Sequence, residues 1–529
     1  MAADIRGTVP SAVPSRVIDP SGKAPATGPS APAAPAAPSA SPAAPGSSFK
    51  PGTAAAPAPR PEVPGHAFFP LSEHTVDQVR ASGDPRKIAG ALHTLFTDRS
   101  NLLLGNDGTR VDRTRRLLDG MSPAGLEQVR AAYVHKYGND PEINIKSADF
   151  GEPIARLGHD TQIELMDALN GPQMKQAAQT IASLQSKAQA GTLTAEDRKE
   201  LFSTMPMLGL WNTPHRAAPG AENMDAMERT LLKRAWSGTG AEGSLDSALQ
   251  QIQSKLPEAD LSQKAPREKS IAVIASSHGA QWQELMDWAS EMTDKGYHLQ
   301  IFTPEGQPVS FQRDSLNVST RTVNLGYGAP AHLDPHQGTG ELAKELLGNA
   351  APSSKFDPKQ FGAVYLAGGL GFNEDVAVAE SKQLADGTSH TELTANPNIA
   401  GMMQRAIGEK LPIVGLCHGP TLLAATPITM PDGHTEALNK GIPTASLPPF
   451  ESYVQFSGRK ESQFTLDVNT HHSLAEVGGQ TDVFRDIANM SRVVKGNKAG
   501  IDIITGPGPQ ASKNLADPTV EAMLRRWGK

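Results

Sequence analysis

Cysteine is almost absent: Cys417 is the only one among 529 residues. An intramolecular disulfide is therefore impossible, and a cysteine-built metal cluster is excluded within one chain. Long apolar runs are missing too, none approaching the roughly 18 residues of a membrane-spanning helix. Met1 to Arg16 holds Asp4, Arg6 and two prolines with no apolar stretch behind them, so a cleaved secretory leader is not expected. No block of like charge occurs, and 49 Lys and Arg against 56 Asp and Glu leave −7. Without clustered cations to neutralise phosphates, a mainly electrostatic nucleic-acid binder is disfavoured. Aromatics are only 5% and hydrophobics 38%, below ordinary globular usage, which predicts that part of the chain stays unfolded.

What is abundant is glycine and proline, 49 and 43 residues. Residues 1–65 read as a tail rich in Pro, Ala and Ser, too poor in apolar surface to offset its ordering entropy. The same composition also fits a secretion leader of the kind bacterial effectors carry, and export without a cleaved signal peptide is the alternative to a cytoplasmic location. From 66 to 260 apolar residues recur three or four apart, as in Asp84 to Phe96, Arg110 to Leu118, Pro123 to Lys136, Gln162 to Leu169 and Met224 to Trp236, predicting an all-α domain. Thr194-Ala195-Glu196-Asp197 reads as a helix N-terminal box. From 269 to 529 the period changes. Ser270 to Ala275, Tyr297 to Phe302, Ala363 to Ala367 and Pro412 to Leu416 are short buried runs alternating with helical stretches, Trp282 to Lys295 and Ile399 to Lys410 being the clearest. That alternation predicts an α/β sandwich with a parallel sheet covered on both faces.

The segment with most chemistry in it is Leu411 to Pro420, LPIVGLCHGP. A buried strand runs into Cys417 and a helix is predicted directly after it. Gly415 and Gly419 leave room for a strained strand-turn-helix that stands a nucleophile at the end of the sheet. A helix N-terminus there favours thiolate, so a lowered thiol pKa is expected. A lone buried cysteine is also commonly an inert small hydrophobe.

Cys417-His418-Gly419-Pro420 after a buried strand, Gly368-Gly369 after the preceding strand, and Glu284 five residues beyond Gly279 together resemble the ThiJ/PfpI superfamily. The turn Ile504 to Pro509 and the helix expected over Ser512 to Trp527 match its closing elements. The resemblance covers about Lys269 to Lys529 and is nearest the heat-shock-chaperone and glutathione-independent glyoxalase branch. It implies a class I glutamine-amidotransferase-like, flavodoxin-like fold. It implies Cys417 as nucleophile, His418 as proton carrier and Glu284 as the acid that tunes the thiol, with Gly368, Gly369 and Asp375 binding substrate. Leu370 stands where that branch often has His and cannot transfer a proton, and Glu451 lies near the place of a third acid. Glu284 also reads as the wet side of an amphipathic helix with Gln283, Asp287 and Glu291. A true glutamine amidotransferase fits least, because His434-Thr435-Glu436 comes too soon after Cys417.

Residues 83–171 resemble one annexin-like repeat, with Gly108-Thr109 before an amphipathic helix and Asp149 forty residues after Thr109. That resemblance implies a weak Ca²⁺ site and calcium-dependent membrane contact, although Asn106 replaces a loop glycine. A small helical packing domain is the competing reading. His471-His472 reads as solvated surface, so no metal is assigned, and no cofactor is expected. The leading expectation is a cytoplasmic glyoxalase III-like lyase acting on a small dicarbonyl, with a homodimer left open. Peptidase and deglycase activities stay open. The alternatives are a chaperone-like or redox-sensing stress protein, or an exported effector with a degenerate enzyme domain.

Overall fold

The run Ser270–Ile274 (β1) is buried at every residue, which places it in the middle of a sheet with both faces covered. A computed structural model shows this, describing residues 71–97, 107–137, 159–207, 224–277, 279–311, 340–383, 389–447 and 470–528. Ahead of β1 lie helices α1 (Glu73–Ser82), α2 (Pro85–Thr97), α3 (Asp107–Leu118), α4 (Pro123–Tyr137), α5 (His159–Ala190), α6 (Ala195–Met207), α7 (Met224–Ser237) and α8 (Leu245–Gln253).

The box before α6 forms reciprocally: Thr194 N–H donates to Asp197 Oδ2 at 2.9 Å, and Asp197 N–H to Thr194 Oγ1 at 3.2 Å. Helix α5 runs far beyond the expected Gln162 to Leu169, carrying Pro172 inside it. The annexin-like reading needs correction at one point. Gly108 and Thr109 lie inside α3 rather than before it, so their peptide groups belong to a helix and not to an open carbonyl loop. Asn106, Asp149 and Glu451 lie outside the described residues.

After β1 the chain alternates as α9 (Trp282–Asp294), β2 (His298–Thr303), α10 (Gly340–Gly348), β3 (Ala351–Pro352), β4 (Ala363–Leu366) and α11 (Phe372–Asp375). A hairpin of β5 (Ala377–Gln383) and β6 (Ser389–Ala395) follows, then α12 (Pro397–Gly408), β7 (Ile413–Leu416), α13 (Thr421–Ala424), and the small pair β8 (Pro427–Thr429) and β9 (Thr435–Ala437). The chain closes with α14 (Thr470–Glu476), α15 (Val483–Ala488), β10 (Val494–Lys498), β11 (Ile501–Gly506) and α16 (Ala516–Arg526).

The main sheet has the order β10-β11-β7-β4-β1-β2-β3. All its pairings are parallel except β10 with β11. Strand pleating sorts its side chains into two cores. Ile271, Val273, Tyr365, Val414 and Ile504 pack on one face with Leu285, Trp288 and Met292 of α9. Ala272, Ile274, Val364, Ile413 and Ile503 pack on the other with Ile399, Met402 and Met403 of α12. Trp288 stacks on Tyr365 at 3.7 Å between ring centroids, fixing α9 against β4.

The helical region meets the α/β region through α6 and α10. Arg198 is buried and donates to the carbonyls of Ala350 at 2.7 Å and Pro257 at 3.2 Å, with its guanidinium 4.1 Å over the Phe202 ring. Burial pushes that guanidinium down to about 10. Going out from β1, the chain proceeds to β2 and β3 on one side and to β4, β7 and β11 on the other. The switch point of the sheet therefore lies between β1 and β4, where α/β folds open a crevice at the strands' carboxyl ends.

Candidate active site

Cys417 follows directly on β7 and has φ +58, a left-handed conformation that costs a residue with a Cβ roughly 1–2 kcal/mol. Its neighbours hold it there. Cys417 N–H donates to Gly506 O at 3.0 Å, and its carbonyl accepts from Leu447 N–H at 3.1 Å. The turn is tight enough to need glycine: a Cβ on Gly419 would stand 2.5 Å from Leu366 O. The following helix α13 has only four residues, so it brings little dipole to the thiol.

Glu284 sits in the first turn of α9, capped by Gln281, whose side-chain oxygen accepts from Glu284 N–H at 2.8 Å. Despite the wet-face alternative, Glu284 is fully buried and Gln283 nearly so. The acid meets the sulfur because Gly368, after β4, leaves a gap between them. A Cβ there would lie 2.4 Å from Glu284 Oε2 and 2.9 Å from Cys417 Cβ. Among the described residues neither carboxyl oxygen has a well-angled hydrogen-bond partner. Burial therefore wins over the nearby Cys417 thiol and Gly368 N–H and pushes the Glu284 carboxyl up to about 8, so it is protonated at neutral pH.

The thiol departs from expectation. Burial, then the charge of Glu284 and the hydrogen bond with it, push Cys417 well above the ordinary thiol range, while the N–H groups of His418 and Gly369 pull weakly the other way. The resting group is a thiol, not the thiolate that a helix N-terminus was expected to give, because desolvation outweighs two amide dipoles. His418 Nδ1 lies 3.3 Å from Cys417 Sγ. Burial holds its imidazole down at about 3, hence neutral, and its Nε2 has no hydrogen-bond partner among the described residues.

The structure thus brings together Cys417, His418, Glu284, Gly368 and Gly369. Asp375 is placed differently: its Oδ2 accepts from both N–H and Oγ of Ser277, at 2.7 and 2.6 Å, tying α11 to the loop after β1. Leu370 is buried. Asn373 was not singled out from the sequence. Its Oδ1 accepts from Thr421 Oγ1 at 2.8 Å, and its Nδ2 is buried without a hydrogen-bond partner among the described residues. No local signal in Gly371-Phe372-Asn373-Glu374 marks it. His471 corrects a second expectation. It is buried on α14 against Asp486, not solvated, because its acid partner stands fifteen residues away where a sequence pattern does not link them. Among the described residues no group of three or more metal-ligating side chains occurs, and no helix is long and apolar enough to cross a membrane.

A buried thiol, imidazole and carboxyl at the carboxyl edge of a parallel sheet define a class of cysteine site on an α/β fold. No family model and no curated protein matches the chain. Solved structures with some similarity include the rapid encystment protein of 24 kDa from Francisella tularensis, at 15% identity and TM-score 0.35, over 48% of this chain and 99% of that one. Glyoxalase III from Candida albicans is similar at 13% identity and TM-score 0.33, over 49% and 98%. A ThiJ/PfpI domain protein from Brachyspira murdochii is similar at 12% identity and TM-score 0.26, over 49% and 99%. The similarity to ThiJ/PfpI-type proteins thus spans about half the chain. None of the three comparisons supports the annexin-like repeat.

Proposed function

We propose that the chain is a cysteine-dependent enzyme that converts a small reactive dicarbonyl to a 2-hydroxy acid without glutathione. The observation that supports this best is the contact of a left-handed, buried Cys417 with a protonated Glu284 and a neutral His418. The reading rests on that contact and not on the name of any similar protein.

In this reading Sγ bonds to the aldehyde carbon while its proton passes to His418 Nδ1. That tautomer carries the other hydrogen on Nε2, whose lack of a partner leaves a donor for a substrate oxygen. Glu284, neutral near pH 7, gives its proton to the new alkoxide and becomes a carboxylate. The carboxylate then takes the hydrogen on the former aldehyde carbon while protonated His418 gives its proton to the neighbouring carbonyl oxygen, forming an enediol. Glu284 returns its proton to that neighbouring carbon as the hydroxyl proton on the sulfur-bearing carbon passes back to His418, leaving a thioester. Water cleaves the thioester, the sulfur regains its proton, and dicarbonyl plus water has become a 2-hydroxy acid with no net oxidation. The buried N–H groups of His418 and Gly369 stabilise negative charge on sulfur as it departs.

The test is to supply methylglyoxal without glutathione to wild type and Cys417→Ala, following dicarbonyl loss and lactate. Loss by wild type alone supports the reading, and equal loss by both sinks it. A second reading, a redox sensor, is favoured by the exposure of Cys417, only 4%, since a peroxide passes a narrower opening than a dicarbonyl. Oxidation of Cys417 to a sulfenic acid by peroxide, without dicarbonyl turnover, would decide for it. We also propose the division into a tail at 1–65, a helical domain at 66–260 and an α/β domain at 269–529.

A further inference from the structure

The peptide units that hold Cys417 are themselves held by a buried contact between His471 and Asp486 that has no part in the chemistry above. Cys417 O accepts from Leu447 N–H, and Cys417 N–H donates to Gly506 O. Two residues before Leu447 and one before Gly506, Ala445 N–H donates to Thr505 Oγ1 at 2.8 Å. The segment 445–447 and the end of β11 therefore form a clasp on both sides of the left-handed residue. Between Ala445 and Leu447, both backbone groups of Ser446 go to α14 and α15. Ser446 N–H donates to Asp486 Oδ2 at 3.4 Å, and Ser446 O lies 3.1 Å from His471 Nε2. The same Nε2 is 3.1 Å from Asp486 Oδ2. A carbonyl and a carboxylate oxygen only accept, so Nε2 carries the hydrogen shared between them. The other Asp486 oxygen is in contact with the Arg492 guanidinium. Thr470 Oγ1, one residue before His471, donates to Leu447 O.

We propose that His471 and Asp486 are positioning residues for Cys417: by fixing both backbone groups of Ser446 they keep the 445–447 clasp closed and the sulfur-bearing residue in its left-handed conformation. The proposal rests on Cys417 being the working group. With the clasp released, the strained residue relaxes to negative φ, and Sγ swings away from Glu284, His418 and Tyr365, the titratable groups that face it.

The test reads the sulfur directly, since the only cysteine is the only thiol that iodoacetamide can label. Alkylation rate against pH is measured on the full chain for wild type, His471→Gln and His471→Asn, with thermal unfolding as a check on folding. Glutamine places an amide donor near the Nε2 position, whereas asparagine is too short to reach Ser446 O. His471→Gln is expected to keep the wild-type profile. In His471→Asn the midpoint should fall toward that of an ordinary thiol, by about one pH unit or more, a rise of at least about tenfold in rate near neutrality, while turnover drops. If the two variants share one profile, whichever it is, the proposal is overturned. Should His471→Asn fail to fold, Asp486→Asn decides: a fallen midpoint supports the proposal and a wild-type profile overturns it. Absence of dicarbonyl turnover in wild type would sink the functional reading while leaving the comparison of alkylation profiles intact.

Discussion

Glu284→Gln is expected to make the protein more stable above neutral pH while abolishing turnover. The fully buried carboxyl is held at about 8 against an ordinary 4.5, chiefly by desolvation. Between those two values the folded state keeps a proton that the unfolded state has lost, so the folded state binds more protons and unfolding free energy falls as pH rises. Stability from this group is complete below about 4.5 and is lost progressively up to about 8. An interval of about 3.5 pH units at roughly 1.4 kcal/mol each amounts to about 5 kcal/mol above pH 8, and to about 3 kcal/mol at pH 7. Set against a total stability of roughly 5–15 kcal/mol, that is large enough to measure.

Glutamine is neutral throughout, so the variant lacks the slope. Its extra N–H in a buried site adds a penalty of about 1–3 kcal/mol, but that penalty is constant in pH. The quantity to read is therefore the change in the stability difference, not its value at one pH. Urea unfolding of both proteins at several pH values from about 5 to 9 would give it. The difference should move in favour of Glu284→Gln by several kcal/mol across that range. A difference that stays level would mean that the carboxyl ionises freely in the folded protein, and that the acid beside the sulfur is not the buried neutral group described above.

Three further outcomes follow from the same geometry. Turnover should fall as pH rises through about 8, because Glu284 then loses the proton it must donate; a rate still rising well past that point in a pH profile of kcat would contradict the assignment. Gly368→Ala puts a Cβ 2.4 Å from Glu284 Oε2 and 2.5 Å from Leu416 O, so turnover should be lost and stability reduced by about 1–3 kcal/mol, whereas Gly408→Ala, with open space around it, should match wild type in both assays. The tail reading of residues 1–65 predicts that limited proteolysis cuts there first and leaves a product with the Cys417 alkylation profile unchanged; protection of that segment would count against it.

What the sequence shows and what it hides divides along a physical line. The strands β1, β4 and β7 were legible because burial on both faces demands unbroken apolar runs such as Ser270–Ile274. The hairpin of β5 and β6 was not, since a strand like AVAESKQ carries charge where only one neighbour pairs with it. The sequence predicts only Gln162 to Leu169 of helix α5 because Gly171-Pro172 looks like punctuation, yet the helix runs through Pro172, packing on its neighbours outweighing one lost hydrogen bond. At the site, Cys417 and Gly419 were legible because backbone geometry alone dictates them. The state of the thiol was not, because a motif shows the helix dipole that lowers its pKa but not the depth of burial that raises it. His471 and Asp486 were hidden for a related reason. A histidine's role depends on what its two nitrogens meet, and Ser446 and Asp486 reach it from segments that only the folded chain brings together. The chemical group can thus be named from the strand that ends in it, whereas its reactivity is set by contacts from four separate elements, which is why the alkylation profile of Cys417 reports on all of them at once.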